Sequence, residues 1–337
     1  MKAWQLTETG GIDSYGITEV AEPEPGPGEV RIEMRTMALN HLDLWVSRGL
    51  PAPHSLPHIG GADGAGVVDA IGEGVAGFGL GDEIIVDPSR SCGECSYCRN
   101  DDIVYCSNFG IMGEHLPGTF AEKVVIPTVN AIRKPAALNW EEAGSFGLVS
   151  GTALRMLERT GLRPGMTLLV VGIGGGVSAA AMELGLAFRA NVYVTSRSQE
   201  KIDWAVEQGA AGGFDSSGEF GKEMTALGGA DVVIENVGPA TMRQSMRAAK
   251  PGGKIAICGS TSGAKLELTL PHLFFRHLEL IGSSMATHAQ FARALNWIRL
   301  GKARAHVSKV FDWEDLPDAL RYLDSGEQIG KVVLNRG

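Results

Sequence analysis

Residues Leu168–Arg197 read LLVVGIGGGVSAAAMELGLAFRANVYVTSR. The stretch opens on an apolar run bounded by glycine, the pattern of a buried strand. Gly172-Ile173-Gly174-Gly175-Gly176 breaks the run, and Val177 to Leu186, small and apolar, suits a helix packed close to a sheet. A second strand follows over Asn191 to Thr195. Strand, glycine turn, helix and strand in this order form the βαβ unit that holds a dinucleotide. Turn residues without side chains let the backbone approach a pyrophosphate, and the helix N-terminus offers it unpaired N–H groups and a positive dipole end. Gly172 and Gly174 fill the first two places of G-x-G-x-x-G, whereas Val177 occupies the third. A glycine turn that only packs a helix on a strand shares part of this pattern; the strand–turn–helix context favours nucleotide binding, with Gly172, Gly174, Gly175, Gly176 and Val177 at the phosphates.

The chain has 337 residues, enough for two domains. Apolar residues make up 44% and charged residues 20%, the balance of a globular protein with a large core. A net charge of −9 opposes nucleic acids and anionic membranes, because phosphates are repelled overall. The N-terminal MKAWQLTETGG lacks the apolar core of a signal peptide, and no uncharged apolar run approaches membrane-spanning length. Four of the five cysteines are bunched rather than spread as a disulfide framework. The expected setting is the cytoplasm, with a small-molecule substrate and neither nucleic acid nor membrane as partner.

Two textures divide the chain. Residues 1–149 are rich in Gly, Pro and Val, with short strand-like pieces at Glu29–Met34, Gly66–Ile71, Asp82–Val86 and Ala121–Ile126. From Gly151 onward helices and strands alternate: a helix over Thr152–Thr160, then strands at Asp231–Ile234, Lys254–Cys258 and Glu279–Gly282. Alternation predicts a parallel, doubly wound sheet over residues 150–285. A helix at His288–Leu300 and a strand at Lys331–Leu334 assign residues 286–337 to the first domain.

Cys92, Cys95, Cys98 and Cys106 form C-x2-C-x2-C-x7-C within residues 90–108. Four thiolates in one short lobe enclose a zinc ion tetrahedrally and leave no open position, which describes a structural site. Two disulfides or idle thiols are the other readings; the close spacing and a reducing compartment disfavour both. Cys258 ends a core strand and reads as a small buried apolar residue.

Three features now coincide. Gly64-Ala65-Gly66-Val67-Val68, Gly72-Glu73-Gly74-Val75 and Phe78-Gly79-Leu80-Gly81-Asp82 precede the cysteine lobe, and the glycine-turn βαβ unit follows it. This order resembles the medium-chain dehydrogenase/reductase superfamily, the zinc alcohol dehydrogenases and quinone reductases, from Met1 to Leu334. The resemblance implies a GroES-like β catalytic domain, an inserted Rossmann domain over 150–285 and an active-site cleft between them. It also implies a homodimer joined edge to edge through Glu279–Ser284, possible tetramers included.

The departures from that family carry information. Zinc alcohol dehydrogenases place a cysteine ligand where this chain has Asn40, a His-Glu pair where it has Ala62-Asp63, and a third ligand at Leu148. Asn is a poor zinc ligand, and Ala and Leu are none, so the resemblance implies a structural zinc without a catalytic one. Asn40 matches the asparagine of quinone-reductase-like members. Without a Lewis acid, oxidation of simple alcohols is disfavoured. Hydride transfer to the β carbon of an enone, enal or quinone-like acceptor needs only donors at the carbonyl oxygen and a proton at the α carbon. Asn40 is the candidate donor, Asp63 the candidate acid if burial raises its pKa, and His41 either a proton relay or, as in relatives, a contact to the cofactor pyrophosphate. Asp63 also reads as a structural partner of a backbone N–H or a basic residue, and Asp43 as a residue that outlived its metal.

The end of the second βαβ strand selects the cofactor. An acid there accepts hydrogen bonds from the adenosine ribose and repels a 2′-phosphate. Here Thr195-Ser196-Arg197-Ser198 stands in its place, with Lys201 one turn on. Ser196, Arg197 and Lys201 suit the phosphate of NADPH. The resemblance adds Thr152, Asn236, Val237, Gly259, Ser260 and Thr261 around the cofactor, and Lys331 as a cofactor-side lysine. The leading expectation is an NADPH-dependent reductase of activated double bonds. A zinc-dependent alcohol or aldehyde dehydrogenase with ligands such as His41, Asp43 and Asp63 is one alternative, and a non-catalytic, crystallin-like NADPH-binding protein is another.

Overall fold

Six strands pair in parallel in the order Gly212–Asp215, Asn191–Ser196, Thr167–Val170, Ala230–Glu235, Ala249–Ile257, Glu279–Gly282. Numbered along the chain this is 3-2-1-4-5-6, the doubly wound order, whose direction reverses between Thr167–Val170 and Ala230–Glu235. The structure, a computed structural model, describes all residues from Met1 to Gly337. The sheet's central strands are buried on both faces, which explains their unbroken apolar runs. Ala249–Ile257 begins five residues before the strand read from sequence. Its register shifts between Ala230/Ala249 and Val232/Lys254, so Pro251-Gly252-Gly253 is an irregularity inside the strand rather than a turn before it.

The other large sheet has seven strands. Ala131–Arg133, Glu83–Val86, Asp63–Ile71, Glu29–Ala38, Lys331–Asn335 and Val307–Asp312 follow one another, and Lys123–Pro127 also pairs with Glu29–Ala38. Glycine at 66 is required by this packing, because a Cβ there would collide with the Glu33 carbonyl. The core includes Ile32, Met34, Met37, Val68, Ile84, Phe120, Trp313 and Leu334.

Two units result. Met1–Leu148, Ala286–Leu295 and Ala305–Gly337 form the first, and Val149–Met285 with Asn296–Arg304 the second. Asn296–Arg304 therefore departs from the assignment of 286–337 as a whole to the first domain. Its physical reason is local: the Trp297 ring meets Phe188 edge-on, with centroids 5.3 Å apart, inside the second unit.

Candidate active site and metal centre

Sheet register builds the polar centre of the first unit. Ala38 pairs with Asp63 and Val333 with Ala38, and the Leu39 N–H donates to the Val332 carbonyl. Asn40, Asp63 and Lys331 thus meet at one end of three neighbouring strands. The Lys331 ammonium donates to Asp63 Oδ2 at 2.9 Å and to Asn40 Oδ1 at 2.6 Å. Asn40 Nδ2 donates to the same Asp63 oxygen at 3.0 Å, and the Leu148 N–H donates to Asp63 Oδ1 at 2.6 Å. All three side chains are buried, Asp63 completely.

This geometry corrects three expectations. Lys331, expected on the cofactor side, is buried as the internal ion-pair partner of Asp63. Asp63 receives three hydrogen bonds and is surrounded by donors, which suits a carboxylate and not a general acid. Asn40 has one N–H on Asp63 and the other 3.5 Å from the Ala38 carbonyl, so its amide is already engaged. Sequence reasoning missed Gly147 altogether. A Cβ there would lie 2.5 Å from Asp63 Oδ1, so only glycine lets the carboxylate reach the Leu148 N–H.

His41 and Asp43 flank this cluster. The His41 ring tilts against Trp45 and makes no hydrogen bond to Asn40, Asp63 or Lys331. Burial, and then the Lys331 ammonium, push its pKa down. Asp43 Oδ2 accepts the Asn40 N–H at 2.7 Å, while Oδ1 lies buried without a hydrogen-bond partner. Burial raises the Asp43 pKa to about 7 against the opposing Asn40 N–H. Tyr15 OH is likewise buried and unpartnered, its pKa raised by burial and then by Asp43. His41, Asp43 and Asp63 do not assemble into a metal-binding group; the four cysteines do.

In that lobe the Sγ–Sγ separations are 3.8 Å for Cys92–Cys98, 3.5 Å for Cys95–Cys98 and 3.6 Å for Cys106–Cys92. A tetrahedron with metal–sulfur bonds of ~2.3 Å has edges of about 3.8 Å, so the donor set fits zinc. Disulfides are excluded, because sulfurs joined by one lie about 2.05 Å apart. The Cys95 and Cys98 N–H groups point at Cys92 and Cys95 sulfurs respectively, supporting thiolate charge.

The glycine turn of the second unit fits a dinucleotide on its own geometry. Gly172 and Gly174 have φ of +76° and +119°, a region closed to most side chains. The helix Gly176–Ala187 has no side-chain cap at Gly175, so its first N–H groups are available to an anion. The Lys201 side chain lies across the turn, where a Cβ on Gly174 would strike it. Thr152 Oγ1 is buried without a hydrogen-bond partner. Asn236 is held by Ser178 and Cys258, and the loop Gly259–Ser262 is pinned to it: Thr261 Oγ1 donates to the Asn236 carbonyl and Ser262 to the Val237 carbonyl. Ser260 and Thr261 are exposed. Burial pushes the Cys258 thiol up to about 12, which removes it as a nucleophile.

Family comparison agrees with both units. Residues 26–136 match the alcohol dehydrogenase GroES-like domain and residues 176–299 the zinc-binding dehydrogenase domain. The chain belongs to the medium-chain dehydrogenase/reductase superfamily. It is an oxidoreductase of that superfamily, with the GroES-like and Rossmann-like architecture expected. An acryloyl-coenzyme A reductase of Metallosphaera sedula is 31% identical over 95% of this chain and 96% of its own. A crotonyl-CoA reductase of Streptomyces avermitilis is 29% identical over 95% of this chain and 81% of its own. A solved NAD-dependent alcohol dehydrogenase is 38% identical, covers both chains fully and superposes with a TM-score of 0.97. Superfamily relatives thus include reductases of alkenes and dehydrogenases of alcohols. No helix of this member is long and apolar enough to cross a membrane.

Proposed function

We propose that the protein is an NADPH-dependent reductase of alkenes conjugated to a carbonyl, 2-enoyl thioesters foremost, working without a catalytic metal. The observation that carries this reading is the commitment of Asn40 and Asp63 to Lys331, beside Ala62 and Leu148, which offer no ligand atom. Acryloyl- and crotonyl-CoA reductases among the relatives support the choice of an enoyl thioester. A bound nicotinamide supplies hydride. The chain's own residues supply a buried cluster with one charged donor, the Lys331 ammonium, for the carbonyl oxygen, and the cysteine lobe holds one structural zinc.

The cofactor preference rests on the strand end. Ser196 is buried, Arg197 is exposed beside it, and Lys201 crosses the glycine turn. The acid in register with Ser196, Asp215, has one carboxylate oxygen engaged by the Ser217 N–H. Two copies joining along the unpaired edge of Glu279–Gly282, near exposed Phe274 and Phe275, extend the proposal to a homodimer.

The test is turnover of crotonyl-CoA, a simple enone and a primary alcohol with each nicotinamide, alongside zinc per chain. Alkene reduction with NADPH and one zinc is expected. Two zincs with alcohol oxidation alone would sink the reading. Arg197→Ala is expected to weaken NADPH about tenfold, one charge-assisted hydrogen bond, and to leave NADH unchanged; equal loss for both removes the cofactor argument.

A further inference from the structure

We propose that the Lys331 ammonium itself binds the carbonyl oxygen of the substrate, a contact that rests on the alkene-reductase reading above. The argument is a count of N–H bonds. An ammonium carries three. One goes to Asp63 Oδ2 at 2.9 Å and one to Asn40 Oδ1 at 2.6 Å, and the third has no acceptor in the protein. The neighbouring donors are spent: the Leu148 N–H and one Asn40 N–H serve Asp63, and the second Asn40 N–H faces the Ala38 carbonyl. His41 makes no hydrogen bond to the cluster. Lys331 therefore holds the uncommitted charged donor, and a charged donor outbids the loosely held second Asn40 N–H.

Hydrogen bonds to Asp63 and Asn40 hold this ammonium, so little reorganisation accompanies the growth of charge opposite it. In the reaction, hydride adds to the β carbon and NADPH becomes NADP+. The alkene π pair moves into the carbonyl, leaving an enolate oxygen that the third Lys331 N–H binds. A proton from solvent then ends at the α carbon, and the carbonyl is restored.

The probe is 4-(dimethylamino)cinnamaldehyde, an enal whose absorption moves to longer wavelength when a cationic donor polarises its carbonyl. It is mixed with the wild type and with a Lys331→Met/Asp63→Asn double variant, which removes the ammonium without stranding a buried carboxylate. The expected result is a red shift with the wild type that the double variant lacks. NADPH affinity stays unchanged, and kcat on crotonyl-CoA falls about a hundredfold, the effect of losing one oxyanion donor. Should the double variant not fold, Lys331→Gln, which keeps an N–H for Asp63, takes the same readings. An unshifted wild-type spectrum, or equal shifts in both proteins, overturns the contact. So does NADPH affinity that falls in step with kcat, because that marks a cofactor-holding lysine. A Lys331-dependent shift without alkene turnover sinks the reductase reading and leaves this contact standing.

Discussion

The cysteine lobe and the Asn40–Asp63–Lys331 cluster are both places where this fold accommodates a cation, and they do so by opposite means. In the lobe, four thiols from one segment of fifteen-odd residues converge on a tetrahedron. In the cluster, residues 268 and 291 positions apart meet through strand register, and the cation is part of the chain. The difference teaches that spacing along the chain sets a cluster whose parts are local, whereas an internal ion pair is assembled over distance by strand pairing.

Removing a thiol should break the comparison most severely. Cys92→Ser is expected to take zinc from one per chain to almost none and to expose residues 90–108 to protease, because a structural metal supplies folding free energy to its lobe. Zinc analysis and limited proteolysis read the outcome; a lobe that stays protected without zinc would remove the metal from its design.

Next in size is Asp63→Leu, which leaves Lys331 buried and unpaired. A loss of about 3–5 kcal/mol in denaturant unfolding is expected, as for other broken buried pairs. The Lys331→Met/Asp63→Asn double variant should recover most of it. If the single variant is as stable as the wild type, the pair does not organise the sheet end.

Gly147→Ala sharpens the same point with one methyl group. It drives Asp63 off the Leu148 N–H, at a cost of about 1–3 kcal/mol by overpacking. Equal melting temperatures for variant and wild type would show that the helix start simply moves aside.

The last prediction concerns pH. An Asp43 carboxyl held at about 7, against 3.8 unperturbed, binds its proton more tightly in the folded chain than in the unfolded one. Stability from this group is therefore full below its unfolded pKa and is lost as pH rises toward 7. Asp43→Asn removes that loss. Its stability relative to wild type should climb between about pH 4 and pH 7; a flat difference across that range means that Asp43 titrates normally.

Much of the architecture was legible in advance because its signals are local. Glycine spacing after an apolar run marked Gly172–Gly176, and alternation marked the doubly wound sheet. Strand ends were harder where turn residues sit inside a strand, as at Pro251-Gly252-Gly253. The cluster residues Asn40 and Asp63 were nameable as departures from a ligand pattern, yet their partner was not. Lys331 was read as a cofactor-side lysine from the family resemblance, and nothing near it in sequence shows what it pairs with.

What the sequence by itself determined is what has its parts within a few turns of one another: the four-cysteine lobe and the glycine turn. Chain connectivity already holds those groups close, so spacing carries the geometry. Only the tertiary structure decided the charge balance of the polar centre. Asp63, Asn40 and Lys331 come together through strand pairing across most of the chain, and burial then makes each depend on the others for most of its side-chain hydrogen bonds. The reach of Asp63 to the Leu148 N–H, and the need for glycine at 147, follow from that packing and from no feature of the neighbouring sequence.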